Sequence, residues 1–412
     1  MASAPLMSLD QALQQLLGHV VVLQEQQWVA TLDAAGRVLA QDVQSALHVP
    51  SQDNSAMDGY ALRCDDVHSS NGALEVSQRI TAGAVAAPLE PHTVARIFTG
   101  APIPEGADAV VMQEECTLLP EVANKRPAVQ INALPIPGQW IRRAGEDVAR
   151  GSVVLARGTR LGAAELGLAA SVGMASLAVL RRPRVALFST GNELIMPGSV
   201  APQDMPVGSI YNSNRFFLHS LLQRLGCEVT DLGIVPDDLD ATVHALRAAA
   251  QGHDVILTSG GVSVGEEDHV KPAVQALGSL DLWQVAIKPG KPFAHGRVGD
   301  AHFIGLPGNP VSSFVTFLAL VRPFLLRLQG VQDVALQALA VRADFDRPQA
   351  DKRQEFLRVH RNSEGGLDLF ANQSSGVLTS VAWGDGLVDN PPGRAIVYGD
   401  MVRYISFADL LA

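Results

Sequence analysis

Between Asp254 and Ser313 the chain carries three glycine-rich turns, T-S-G-G-V-S-V-G-E-E-D, I-K-P-G-K-P-F and G-L-P-G-N-P-V-S, each preceded by an apolar run that reads as a buried strand. Around them, from Pro183 to about Leu328, strands alternate with helices, the pattern of a parallel-rich, doubly wound sheet covered by helices. Val185 to Ser189 and Val255 to Leu257 are continuous apolar strand candidates. One helix carries Phe217, Leu218, Leu221, Leu222 and Leu225 at helical spacing and stops at Gly226, and the next is expected to begin at Asp237-Asp238 with Leu239, Val243 and Leu246 on its inner face. Open sheets of this class bind ligands at the carboxyl ends of their strands. All three glycine turns should gather there, with Glu193 and Asp237 following two of the strands.

Small residues after a strand let backbone N–H groups approach a ligand, and such amides together with helix N-termini favour anions. Lys288 and Lys291 add cations to this rim, whereas Glu266, Glu267 and Asp268 add carboxylates. Both signs fit one anion site when a hard cation such as Mg²⁺ lies between them. The first expectation is therefore a phosphate site with a metal.

The flanking sequence changes character. Ser8 reads as the N-cap of a helix with Leu9, Leu13, Leu16 and Leu17 on one face. Short strand-like runs broken by Gly, Pro and Asn from about Pro50 to Pro137 indicate a β-rich insertion. G-E-D-V and S-V-V-L-A-R-G-T-R-L read as further strands before an Ala/Leu-rich helix near Gly162. After Gly330 helical periodicity stops and short alternating runs indicate a small all-β, barrel-like unit. The expected organisation is a discontinuous N-terminal brace (1–49 and 138–180), the insertion (50–137), the α/β domain (181–330) and a C-terminal β domain (331–412).

Composition narrows the function class. With 412 residues, 47% of them apolar, the chain can bury several cores. A net charge of −11 and few aromatics argue against nucleic acid as a partner. Cys64, Cys116 and Cys227 are widely separated and lack metal or redox spacing, which fits a reducing cytoplasm, and the N-terminus shows no export signal. The longest apolar helix candidate, from Val311 to Val321, is expected to end before Arg322-Pro323, short of a membrane span.

Taken together, D-N-S-A-M-D-G-Y-A, T-G-A-P-I-P-E-G-A-D-A-V-V, F-S-T-G-N-E-L, S-G-G-V-S-V-G-E, A-I-K-P-G-K-P-F and G-L-P-G-N-P-V-S resemble the molybdopterin molybdenumtransferases, a family that includes the bacterial MoeA proteins and the E domain of gephyrin. The resemblance spans essentially the whole chain. It implies an elongated homodimer whose cleft is completed by the partner's β-rich insertion. It also implies a reaction in which adenylylated molybdopterin and molybdate are substrates, the phosphoanhydride is hydrolysed with Mg²⁺, AMP leaves and molybdenum enters the dithiolene. A sister adenylyltransferase supplies the substrate and, with molybdoenzyme maturation factors, is an expected partner; no membrane partner is implied.

Roles follow as expectations. Glu193, Asp237 and Asp268 would hold or orient Mg²⁺, although Asp237 could equally be a helix N-cap. Ser259, Gly260, Gly261, Ser263 and Gly265 would cradle phosphate, with Pro307, Gly308, Asn309 and Pro310 as a second wall at a helix start. Lys288 and Lys291, flanking Gly290, would neutralise phosphate and molybdate. Carried over from the resemblance, Asp58 and Thr99 would act in the cleft of the opposite subunit, although D-G is also an ordinary turn signal. Arg142 and Arg143 could steer an anion or sit solvated. Gln284 stands where some relatives carry lysine, and Asn192 and Asn212 where many carry aspartate. The alternatives are the adenylyltransferase, whose G-G-T-G motif this chain replaces with S-G-G-V-S, and a gephyrin-like receptor-clustering scaffold.

Overall fold

The computed structural model describes residues 6–261 and 269–411. In the central sheet the strand Arg184–Thr190 lies parallel between Glu228–Val235 and Val255–Ser259, and Ala301–Leu306 continues the parallel set. Pro292–Val298 runs antiparallel between Ala301–Leu306 and the edge strand Gly278–Gln284. Side-chain alternation explains the continuous apolar runs. Val185, Leu187, Val255, Leu257, Ile304 and Leu306 enter one core, while Ala186, Phe188, Ile256 and Phe303 enter another on the opposite face. With both faces dry, no polar position is left to mark a period of two. Each fully buried Leu or Phe contributes about 1.5–3 kcal/mol relative to exposure, so the two-sided sheet holds the framework of the site.

The first core is roofed by the helices Asn214–Arg224 and Pro310–Leu328, the second by Leu239–Ala250 and Val270–Leu277. The terminal helix Leu9–Gly18 packs Leu9, Ala12 and Leu16 into the first core. Ser8 caps it as expected: its hydroxyl accepts from Gln11 N–H at 3.2 Å, and the Gln11 side chain accepts from Ser8 N–H at 3.1 Å.

Two readings need correction. The helix that opens at Pro310 does not stop before Arg322-Pro323 but runs to Leu328, 19 residues in all, long and apolar enough to cross a bilayer by length and composition yet 89% buried inside the fold. The chain solves the proline problem with a wide turn over Phe317–Val321, where Arg322 N–H donates to Phe317 C=O, five residues back. That π-type turn makes room for a ring that carries no N–H to donate. The G-E-D-V segment is a turn rather than a strand, joined to Val49 by the Asp147 N–H and by an isolated bridge at Val148.

The insertion forms a six-stranded sheet in the order Ala109–Met112, Gly59–Leu62, Thr93–Ile97, Ala73–Ile80, Ala128–Ile131, Cys116–Leu118. Segments on either side of it pair with each other, Gln26–Ala30 with Ser176–Leu180 and Val43–Gln44 with Val153–Leu155. The C-terminal sheet contains Gln354–Arg361, Gly386–Asn390, Met401–Ser406 and Leu339–Arg342, and at its edge a two-residue strand from the central region, Ile287–Lys288. Ile287 and Lys288 lie parallel to Gln354 and Glu355, so the I-K-P-G-K turn is pinned to the C-terminal sheet by backbone ladder bonds.

Beneath the central sheet, His295 and His302 are buried and joined at 3.3 Å between Nε2 and Nδ1, with the Arg297 guanidinium 3.2 Å from His302 Nε2. Arginine only donates, so His302 Nε2 accepts and its Nδ1–H donates to His295. Burial, then the neighbouring charges of His302, His19 and Arg297, push His295 down to about 3, and burial with Arg297 and His19 pushes His302 down to about 4. Both rings are neutral in the fold and titrate near 6.5 once unfolded. The unfolded chain therefore binds the extra protons, and their contribution is complete above about pH 6.5 and lost as pH falls toward 4, by a few kcal/mol. Urea unfolding between pH 7 and pH 4 should show this slope, and His295→Gln, which keeps an acceptor for His302, should have a shallower one; an unchanged slope would exclude His295 as its source.

Candidate functional site

Strand order reverses at Arg184–Thr190. The chain leaves that strand toward Glu228–Val235 on one side and later returns to place Val255–Ser259 on the other. Such a switch point leaves a crevice beyond the carboxyl ends of the two strands. A cleft of about 740 Å³ occupies this position, with Thr190 and Gly191 from the first strand and Ser259, Gly260 and Gly261 from the second on its wall. Pro307, Gly308, Asn309 and Pro310 form the adjoining wall, and Glu193 and Asp237 stand on the rim.

The turns depend on glycine for stated reasons. Gly261 has φ +67°, and a Cβ there would collide with Val270 and Thr190. At Gly290, φ is +117° and a Cβ would strike the Thr316 hydroxyl on the long helix. Neither position accepts a larger residue without moving the wall.

One side chain not anticipated as a site residue ties the strand-end loops together. Asn214, the first residue of the helix after the Asn-Ser pair, donates through Nδ2 to Ser259 Oγ at 2.8 Å and to Gly308 C=O at 2.7 Å. The Ser259 hydroxyl in turn donates to Pro307 C=O at 3.1 Å. Two glycine turns separated by nearly fifty residues are thus bolted to one helix start. Asn212, expected near the metal in place of an aspartate, lines the cleft, as do Ser213 and Thr190, which were not anticipated. The signal for Ser213 was the polar N-S-N stretch, which reads equally well as a helix cap.

The question over Asp237 resolves locally. Asp238, not Asp237, caps the helix Leu239–Ala250, accepting from Ala241 N–H at 2.8 Å, which leaves Asp237 facing the cleft. The C-terminal sheet reaches the same place: Gly376 lines the cleft, and Ser375 C=O accepts from Val311 N–H at 2.9 Å. The buried Arg358 holds that loop by donating to Ser374 C=O at 3.3 Å.

Other expected residues lie elsewhere. Ser263, Gly265 and Asp268, with Glu266 and Glu267, fall outside the described residues. Lys288 and Lys291 are not on the described cleft wall, although Pro292 from the same turn is. Lys288 Nζ is held 2.9 Å from Asp351 Oδ2 and 3.0 Å from Glu355 Oε1, both on the C-terminal sheet side. Burial alone would lower the lysine's proton affinity, but these two carboxylates outweigh it and raise the pKa. Asp351 is itself held well below the usual carboxylate range, chiefly by the Arg353 guanidinium.

Asp58 and Thr99 meet within the insertion. Thr99 donates to Asp58 Oδ1 from its backbone N–H at 2.8 Å and from its hydroxyl at 2.7 Å, and these bonds hold the carboxyl below its ordinary value. Gly59, next to Asp58, presses against the backbone of Val111, where a Cβ would not fit. Arg143 is paired with Asp53, while Arg142 is exposed.

Among the described residues, then, the cleft wall carries backbone amides, hydroxyls and two carboxylates but no lysine or arginine. No group of three or more potential metal ligands occurs among the described residues. A hard divalent cation needs only one or two carboxylates when waters and phosphate oxygens complete its shell. Glu193 and Asp237 fit that requirement, and an anionic ligand beside them requires some cation.

Comparison with known proteins gives matches along nearly the whole chain. Family models match residues 7–173 (MoeA N-terminal region, domain I and II), 186–327 (probable molybdopterin binding domain) and 340–407 (MoeA C-terminal region, domain IV). The molybdopterin molybdenumtransferase of Haemophilus influenzae is 44% identical over 326 residues, 79% of this chain and 78% of the relative; that of a Nostoc species is 35% identical over 88% of this chain and 84% of its own. The crystal structure of a molybdopterin biosynthesis MoeA protein from Pyrococcus horikoshii superposes with a TM-score of 0.83 at 27% identity, covering 98% of this chain and 100% of that one.

Removing the bolt should loosen the strand ends before it affects the core. Asn214→Ala leaves the Gly308 carbonyl and Ser259 hydroxyl short of a donor, at a cost of about 1–2 kcal/mol. Chemical denaturation should register that loss, and amide exchange at Gly260 should accelerate; wild-type exchange would show that the turns hold without Asn214.

Proposed function

This chain belongs to the molybdopterin molybdenumtransferase family, an enzyme family of molybdenum cofactor biosynthesis, and we propose that the strand-end cleft is where it transfers molybdenum from molybdate to adenylylated molybdopterin, hydrolysing the phosphoanhydride and releasing AMP. The observation that carries the reading is the convergence of Ser259-Gly260-Gly261 and Pro307-Gly308-Asn309 on one crevice at the sheet's switch point, with Glu193 and Asp237 on its rim.

In this reading the Gly261 amide and the start of the long helix receive substrate phosphate oxygens, while the Gly260 N–H, donated to Leu306 C=O at 3.0 Å, fixes the turn that presents them. Ser263 and Gly265 are assigned to phosphate binding from the family resemblance alone. Glu193 and Asp237, together with Asp268, hold Mg²⁺, which when bound neutralises phosphate charge and polarises the anhydride. The strand-end walls orient the two substrates and exclude bulk water from the linkage. Lys288 and Lys291 serve the oxyanion, and Gly290 gives their turn its shape.

Asp58 and Thr99 enter from a second subunit. Their mutual hydrogen bonds keep the Asp58 carboxyl ionised and fixed in direction, which suits a group that orients water or a metal-bound ligand. The working form is accordingly a homodimer in the cytoplasm, receiving its substrate from the sister adenylyltransferase.

The direct test is incubation of the protein with adenylylated molybdopterin, molybdate and Mg²⁺. AMP should appear only when molybdate and Mg²⁺ are present, and Asp237→Ala should lower the rate by at least tenfold. Pyrophosphate released from molybdopterin and ATP would instead support the adenylyltransferase. Mixing Asp58→Asn with Asp237→Ala subunits should restore activity to about one site per dimer; two impaired parents that stay impaired together would rule out the shared cleft.

A further inference from the structure

The central region supplies one of its candidate cations, Lys288, to a charge cluster on the C-terminal sheet. Three cations, Lys288, Arg347 and Arg353, face two carboxylates, Asp351 and Glu355. Their arrangement is unequal. Glu355 has 1% of its side chain exposed and receives Arg347 and Lys288, each at 3.0 Å, on the same oxygen. Asp351 receives Arg353 Nε on Oδ1 and Nη2 on Oδ2, both at 3.1 Å, as well as Arg353 N–H at 3.0 Å. Lys288 is a fourth donor to Asp351 and a second donor to Glu355.

Withdrawing the ammonium would therefore strand neither carboxylate, since each keeps an arginine. Asp351 thus avoids the heavy cost of breaking a buried pair, an uncompensated charge, whereas the buried Glu355 keeps Arg347 alone. The lysine side chain is 35% exposed and sits on a flexible stem, while the Arg353 fork is fixed on Asp351 by two side-chain bonds. Its backbone, pinned as an edge strand to Glu355, stays in place, and its own turn delivers Pro292 to the cleft wall.

Building on the oxyanion role given to Lys288 above, we propose that Asp351 is an internal competitor for that lysine. A tetrahedral dianion, whether molybdate or a substrate phosphate, takes Lys288 from Asp351, and Arg353 retains the released carboxylate. Asp351 is then a positioning residue that sets how tightly the oxyanion is held and returns the lysine to rest when the product leaves. No bond is made or broken in this exchange; only an ion pair changes partner.

The test is steady-state kinetics of the full-length enzyme with molybdate and adenylylated molybdopterin varied separately. Asp351→Asn, which keeps an acceptor for Arg353 N–H, should lower the KM of one substrate three- to tenfold without raising kcat, and the substrate that responds identifies the oxyanion. Asp351→Glu should restore the wild-type KM. In a Lys288→Ala background Asp351→Asn should have no effect on KM. A raised or unchanged KM in Asp351→Asn, with a wild-type melting temperature, would overturn the proposal, as would an equal KM shift in both backgrounds. If Lys288→Ala alone leaves both KM values unchanged, the oxyanion role of Lys288 fails and the competitor with it, whereas the cleft reading still stands or falls on the Asp237→Ala result.

Discussion

The structure depends on a sheet whose central strands are apolar on both faces. Val185 and Leu187 point into one core while Ala186 and Phe188 point into the other, so the strand cannot slip by one residue for any gain in burial and cannot lift away from either helix layer. Its carboxyl end is where that enforcement stops. Backbone groups leaving the sheet need new partners, and short glycine turns and the Asn214 side chain, which donates to Gly308 C=O and to the Ser259 hydroxyl, provide them in place of more sheet. A crevice lined by amides follows from that geometry before any catalytic residue is considered.

The features legible in the sequence were those decided by neighbours in the chain. Strand and helix alternation, the Ser8 cap, the Gly226 stop and the glycine turns at Gly260-Gly261 and Gly290 each rest on residues a few positions apart, and each is present as read. Local rules failed where burial outweighed them. Pro323 ordinarily ends a helix, yet the helix to Leu328 lies so deep in the first core that a single widened turn costs less than exposing Phe324, Leu325 and Leu328. The neighbouring acids Asp237 and Asp238 divide their duties by one residue of register, capping for one and cleft for the other, which no propensity distinguishes.

Pairings between distant segments left no local mark at all. Asn214 reaches across 45 residues to Ser259 and 94 to Gly308, and Lys288 across 63 to Asp351. Sequence places Lys288 beside two prolines and a glycine and so describes its turn well. The partner of the ammonium group lies in a sheet whose docking onto that turn is set by hydrophobic contact of Phe356, Leu387 and Ile405 with the central core. The charge cluster is in this sense a by-product of packing that chemistry can use.

On the proposed role of Lys288, that cluster would also answer the electrostatic imbalance of the cleft. A wall of amides and carboxylates without a described basic side chain binds a multivalent anion weakly until a cation is added. A permanently placed lysine would supply it, but at close range it would also hold the product phosphate as firmly as the substrate, and binding both equally does nothing for turnover. A lysine that rests on carboxylates and is drawn out by a stronger dianion has its affinity reduced by the cost of leaving them. The same two carboxylates raise its proton affinity while it waits, outweighing the burial that acts the other way. Holding the C-terminal sheet against the I-K-P-G-K turn by main-chain bonds between Ile287-Lys288 and Gln354-Glu355 lets the ammonium move while its backbone does not, so exchange of partners requires rotation of one side chain rather than separation of two folded units.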